Sequence, residues 1–130
     1  MINITRPFKA LSDKNRIRIL MMLSRKPLCV CEITEVLELS ASTVSKHLSI
    51  LKESGFILDE KEGKWVNYKL NIYTTDPMVQ QLIMLLPVWS RDEEQLKSDN
   101  IKISTIDRNI ICNSNPPSYF DINRNKSRKE

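Results

Sequence analysis

Apolar residues recur at helical spacing through the first half of the chain, then switch to strand-like clustering. Phe8 to Leu11, preceded by Pro7, predicts a first short helix. Ser12 and Asp13 are N-cap residues for the stretch DKNRIRILMML, in which Ile17, Leu20, Met21 and Leu23 form the apolar side. SRKP closes that helix, because Pro27 disfavours helical backbone at Lys26. A third helix runs from about Cys29 or Val30 to Leu37, with Val30, Ile33 and Leu37 at i, i+3, i+7. After the short turn ELS, Ser40 caps ASTVSKHLSILKES, whose apolar side is Val44, Leu48 and Leu51. Gly55 stands where a helix C-terminus favours positive φ. Two helices with so short a joint predict a helix-turn-helix.

The period then changes. In FILDEKEGKWVNYKL, Ile57 and Leu58, then Trp65, Val66, Tyr68 and Leu70, are strand formers around a polar tip, a β-hairpin with basic Lys61 and Lys64 near its end. A helix-turn-helix followed by such a hairpin is a winged helix. Asp76-Pro77 then starts a helix with Val79, Leu82, Ile83 and Leu86 on one stripe. Pro87 is expected to kink or restart it, with VWSRDEEQLK continuing as helix. From Ser98 onward no period is sustained and Asn and Ser abound. The expected fold is mainly α with a small β-hairpin, a winged helix-turn-helix over residues 1–98 that dimerises through its terminal helices. An extended or partly disordered tail is expected over residues 99–130.

Composition narrows the class. With 130 residues, 41% hydrophobic and 28% charged, the chain suits one soluble domain with an appended tail. It has neither a signal-peptide pattern at MINITRPFKALSDKNRIRILMML nor an apolar run long enough for a membrane span, so a cytoplasmic location with reduced cysteines is expected. Residues 1–75 carry 12 Lys and Arg against 8 Asp and Glu, residues 76–99 carry 2 against 5, and residues 100–130 carry 6 against 3. The positive excess on the helix-turn-helix half suits a polyanionic partner. An enzyme is disfavoured: the chain has a single histidine, no C-x-x-C and no Gly-rich phosphate loop.

In a helix-turn-helix the second helix enters the major groove by its N-terminal residues. Here these are Ser40, Ser42, Thr43, Ser45, Lys46 and His47, short hydroxyls and a cation suited to phosphates and base edges. The plain alternative is a solvated helix face. With Lys61 and Lys64 on the wing, the DNA-binding reading is preferred.

FKALSDKNRIRILMML, LCVCEI, LSASTVSKHLSILKESGFI and EGKWVNYKL resemble the arsenic-responsive branch of the ArsR/SmtB metalloregulatory repressors, over about residues 6–89. The resemblance implies a homodimeric winged-helix repressor that leaves double-stranded operator DNA when a metal or metalloid binds. It implies dimerisation through the first helix and the region Asp76–Lys97, and a local or DNA-contacting role for His47. The family's other metal site, built from Asp and His on the last helix, is not expected, because DPMVQQLIMLLPVWSRDEEQ has no histidine.

Cys29 and Cys31 match the first two cysteines of the arsenic-sensing site, which implies As(III) or Sb(III) as inducer and no catalytic cofactor. Thiophilic ions of this kind prefer thiolate ligands. Where some arsenic sensors carry a third cysteine, this chain has Thr34. Cys112 on the tail, a solvent ligand or a small-molecule thiol are the candidates to complete the site, against the slightly preferred reading of Cys112 as an incidental thiol beside Ile110 and Ile111. On an intact helix, residues two apart lie ~200° around the axis, so binding of one ion by the pair is expected to require the first turn to be unwound, or to unwind it. The helix N-terminus is expected to lower the thiol pKa. Alternatives are a thiol redox switch, a Cd(II) or Pb(II) sensor, or two small core side chains.

Overall fold

A computed structural model of the chain describes residues 2–107 and 109–111. The order is α1 (Ile2–Ala10), α2 (Lys14–Leu23), β1 (Leu28–Cys29), α3 (Val30–Leu37), α4 (Ala41–Glu53), β2 (Ile57–Glu62), β3 (Trp65–Leu70), α5 (Pro77–Trp89) and α6 (Glu94–Thr105). Helices predominate over a three-stranded antiparallel sheet ordered β1-β3-β2, the arrangement of a winged helix-turn-helix. Among the described residues no helix is long and apolar enough to cross a membrane.

Local chemistry explains the helix ends. Asp13, Ser40 and Asp76 each cap a helix with a side-chain oxygen that accepts backbone N–H groups of the first turn. The turn between α3 and α4 is tight because Glu38 adopts the left-handed conformation (φ 56°) and its N–H bonds the Thr34 carbonyl at 2.8 Å. Gly55 (φ +87°) ends α4, and Phe56 N–H returns to the Leu51 carbonyl at 3.0 Å, which turns the fully buried Phe56 into the core. Positive φ at Gly63 makes the tight wing turn, and β2 and β3 pair from Ile57 with Leu70 to Glu62 with Trp65.

The core is one cluster built from Ile19, Leu20, Met22, Leu28, Ile33, Val44, Leu48, Leu51, Phe56, Ile57 and Val79 with their neighbours. The apolar sides expected for α3 and α4 are buried as read. On α2 the buried stripe is Ile19, Leu20, Met22 and Leu23, with Ile17 and Met21 only half-buried. That rotation corrects the expected stripe. Helix α2 is covered on more than one side, by α4, β3 and α6, so its inner face is broader than a single periodic stripe.

Three boundaries differ from expectation. Helix α1 begins at Ile2 and passes through Pro7. In a helix this short the first four N–H groups have no intrahelical partner anyway, so Pro7 costs one rung. Helix α5 likewise passes Pro87 and stops at Trp89, where Ser90 bonds back to the Leu86 carbonyl through both its N–H and its hydroxyl. The expected boundary at residue 98 falls inside α6, and residues 99–105 are helical rather than extended. Tertiary contacts hold them: Ile103 is in the core, and Asp99, 1% exposed, accepts from Arg18 Nε and Nη2 at 2.9 Å each and from Gln95 Nε2 at 3.0 Å. Residues 112–130, the rest of the expected tail, lie outside the described residues.

Removing one partner of a buried ion pair strands the other charge, at a cost of roughly 3–5 kcal/mol. Arg18→Ala is expected to lower unfolding stability by about 3 kcal/mol in urea titration at fixed protein concentration, and a loss below about 1 kcal/mol would show that this pair does not hold α6 in place.

Candidate functional site

Two groups of side chains share the helix-turn-helix. The first is the leading end of α4. Val44, Leu48 and Leu51 are buried against the core and fix the helix roll. That leaves Ser40, Ser42, Thr43 and Lys46 exposed, while Ser45 and His47 are half-buried. Ser40 Oγ accepts the Thr43 N–H at 3.2 Å, donates to Thr43 Oγ1 at 2.9 Å and lies 3.2 Å from Ser42 Oγ. The hydroxyls therefore form one cluster at the helix start.

His47 is drawn inward. Its Nδ1 lies 3.2 Å from Arg16 Nη1, and the same guanidinium donates from Nε to the Ala10 carbonyl at 2.6 Å and from Nη2 to that of Lys9 at 3.3 Å. The ring thus links α4 to the end of α1. Arg16 was not singled out by the sequence, since nothing in its spacing marks a partner 31 residues away.

The wing carries less positive charge than its lysines suggest. Asp59 pairs with Lys52 at 2.8 Å and Glu60 with Lys69 at 2.6 Å, all four at the surface. Lys61 and Lys64 are exposed near the tip, and Lys64 Nζ sits 4.8 Å from the centre of the Trp65 ring. Exposed pairs of this kind contribute ~1 kcal/mol or less to stability. They do offset the acidic side chains that flank the tip.

The second group is the cysteine pair. Cys29 is the last residue of β1 and the N-cap of α3, with extended backbone (φ −91°, ψ 170°). Cys31 follows in the first helical turn. Cys29 is buried and Cys31 half-buried, and both are free thiols. Because Cys29 is not helical, the ~200° separation expected on an intact helix does not apply. Cys31 is close enough in the first turn for its thiol to act on the ionisation of Cys29.

The Cys31 hydrogen bond lowers the Cys29 pKa most strongly, against burial, which raises it; the Glu32 N–H lowers it further, and the Glu32 carboxylate opposes both. The net result is a Cys29 pKa below the ordinary thiol value. Glu32 is itself buried, 5% exposed, and its Oε1 accepts the Cys29 N–H at 3.0 Å. Thr34, at the position of the missing third cysteine, donates its hydroxyl to the Cys31 carbonyl at 2.9 Å.

The pair is joined to both the wing and α4. Leu28 and Cys29 pair with Tyr68 and Asn67 of the wing strand β3, while α3 packs on α4. Beside the pair lies an open polar cavity of about 580 Å³, walled by Lys26, Glu32, Glu62 and Asn67 and, from the C-terminal side, by Asp107 and Asn109. Among the described residues no three His, Cys, Asp or Glu side chains are grouped to hold a metal. Cys112 lies outside the described residues.

Residues 13–58 match the model of the bacterial regulatory protein arsR family. The chain is 38% identical over 100 residues to the arsenic resistance transcriptional regulator ArsR1 of Pseudomonas putida, covering 75% of this chain and 74% of that protein. The chain belongs to the arsR family. It is also 35% identical over 106 residues to the arsenical resistance operon repressor of Escherichia coli, covering 79% and 80% of the two chains. Among solved structures, it superposes on the homodimeric winged helix-turn-helix DNA-binding domain Mb0332 of Mycobacterium bovis with a TM-score of 0.58 at 26% identity, over 69% of this chain and 80% of that one. This arsR-family member is thus a DNA-binding transcriptional regulator with a winged helix-turn-helix.

A depressed thiol pKa contributes stability that is complete above the unfolded thiol value and lost as pH falls through the folded one. In a Cys112→Ser background, ultraviolet titration of thiolate absorbance is expected to show one thiol ionising below the ordinary ~8.5. Adding Cys31→Ala is expected to move the Cys29 midpoint upward. An unchanged midpoint would mean that Cys31 does not polarise Cys29.

Proposed function

We propose that this arsR-family protein is a homodimeric repressor released from operator DNA when As(III) or Sb(III) binds Cys29 and Cys31. The observation that carries this reading is the placing of two free cysteines at the corner between β1 and α3, one as the helix cap and one in its first turn. Each As–S bond forms by displacing hydroxide from arsenous acid, with the thiol proton leaving as water. A depressed Cys29 pKa favours the thiolate that attacks.

The corner has two outputs. An ion that pulls the sulfurs to bonding distance shifts Cys29, which is paired to the wing strand, and Cys31, which rides on the helix packed against α4. Both DNA-facing parts then move relative to their copies in the dimer. Operator half-sites must be met together about one DNA turn apart, so a small rotation suffices. A coupling of about 1–3 kcal/mol is ordinary for such a switch.

Dimerisation is supported by apolar side chains left exposed on the packed pair α1 and α5: Ile4 and Phe8 on the first, Met84, Leu85, Val88 and Trp89 on the second. Ser40, Ser42, Thr43, Ser45, Lys46 and His47 serve the major groove, His47 by way of its Arg16 link, and Lys61 and Lys64 serve the backbone beside it. As a third ligand we favour Cys112 over a solvent molecule. It follows Asn109 on the cavity wall by three residues, and three extended residues span at most ~11 Å.

Fluorescence anisotropy with a fragment of the protein's own promoter tests this. Arsenite is expected to release the wild type, while Cys29→Ser and Cys31→Ser stay bound; a weaker response of Cys112→Ser would place the tail thiol in the site. Release by peroxide but not arsenite would replace the metalloid with a redox signal, and release only by Cd(II) or Pb(II) would replace it with those ions. Lys46→Ala removes one lysine per half-site and is expected to reduce the slope of log affinity against log salt by about 2 for the dimer, and an unchanged slope would remove Lys46 from the phosphate contacts.

A further inference from the structure

Cys29 leaves the helical conformation one residue before α3 begins. Its pairing with Asn67 on the wing strand and its bond to Glu32 hold it there. The Glu32 carboxylate takes the Cys29 N–H at 3.0 Å, while the Glu32 N–H faces the Cys29 sulfur. This is the reciprocal geometry of a capping box with cysteine in the place of serine or threonine. Sulfur is a weak acceptor, so the carboxylate half of the exchange supplies most of its hold. The carboxylate is 5% exposed, and the Cys29 residue it grips is 2% exposed. A buried N–H deprived of its acceptor would have no water to turn to.

We propose that Glu32 is a positioning residue of the thiol site: it locks Cys29 in extended backbone so that both sulfurs face one ion without unwinding α3. The inference rests on the metalloid reading above and adds to it the group that pre-organises the pair. Glu32 makes no bond to the ion. Without its carboxylate, Cys29 is free to join the helix as its first residue, which would turn its sulfur away from that of Cys31. Glu32 also walls the polar cavity beside the pair, so its side chain shapes the space through which an ion or further ligand arrives.

The test is arsenite titration of the full-length protein, read by sulfur–arsenic ultraviolet absorbance, with DNA affinity of the arsenite-free protein and circular dichroism measured alongside. Loss of a group that orients a metal ligand typically costs 10–100-fold in affinity, and Glu32→Ala is expected to fall in that range. Glu32→Gln keeps an oxygen at the same reach and is expected to stay near wild type. Glu32→Asp, which keeps the charge but is one methylene short, is expected to lose affinity and serves if the alanine variant does not fold. Glu35→Ala, at an exposed position of the same helix, controls for helix content. Wild-type affinity in both the Ala and Asp variants would overturn this inference alone. Failure of the wild type to take up arsenite would overturn it together with the reading it rests on.

Discussion

The corner at Cys29 is the constraint on which the functional half of this molecule depends. One residue is asked to be the last of a strand and the cap of a helix, and only extended backbone satisfies both. Because it does, the wing sheet and the helix-turn-helix share a fixed point, and that point carries a thiol. The local strength of the corner comes from a hydrogen bond between buried groups, which water does not weaken. A regulatory site placed here needs no long pathway, since the elements that face DNA begin within one hydrogen-bonded step of it.

The remaining structure keeps that fixed point rigid. Leu28 and Val30, on either side of Cys29, are buried in the same core as the inner faces of α2, α3 and α4. Interiors packed this closely transmit displacement instead of absorbing it. Helix α6 closes over α2 and α3 and is pinned by the Arg18–Asp99 pair and by Ile103. Ile106, Asp107 and Asn109, which follow α6, line the cavity that Glu32 also walls.

Electrostatics divides labour between the two DNA-facing parts. On the wing, Asp59 pairs with Lys52 of α4 and Glu60 with Lys69 of β3, while Lys61 and Lys64 are exposed near the tip. On α4, hydroxyls and Lys46 face outward, while His47 is held from behind by Arg16. That guanidinium also grips the end of α1, on which the apolar residues Ile4 and Phe8 are exposed. Orientation of the recognition helix is thereby tied to α1.

Much of this was legible in the sequence, and the limits have a common cause. The short-range codes were plain: caps at Asp13, Ser40 and Asp76, positive φ at Gly55, the hairpin around Gly63, and the stripes of α3 and α4 depend on neighbours a few residues away. The family pattern was plain for the same reason, being concentrated in Ser42 to Leu51 and LCVCEI. Glu32 could have been found, since it stands three residues after Cys29 at capping-box spacing, but cysteine in the cap position hides the motif. The conformation of Cys29 was not readable, because it turns on one residue being strand rather than helix, and the wing strand 38 residues away in the chain helps decide that. Likewise, the apolar content from Ser98 onward gave no period, and α6 is helical because a buried arginine 81 residues away and the core receive it. Local hydrogen bonding and periodicity belong to the sequence by itself; the conformation of a corner, the burial of an ion pair and the joining of distant side chains exist only once tertiary packing has excluded water from them.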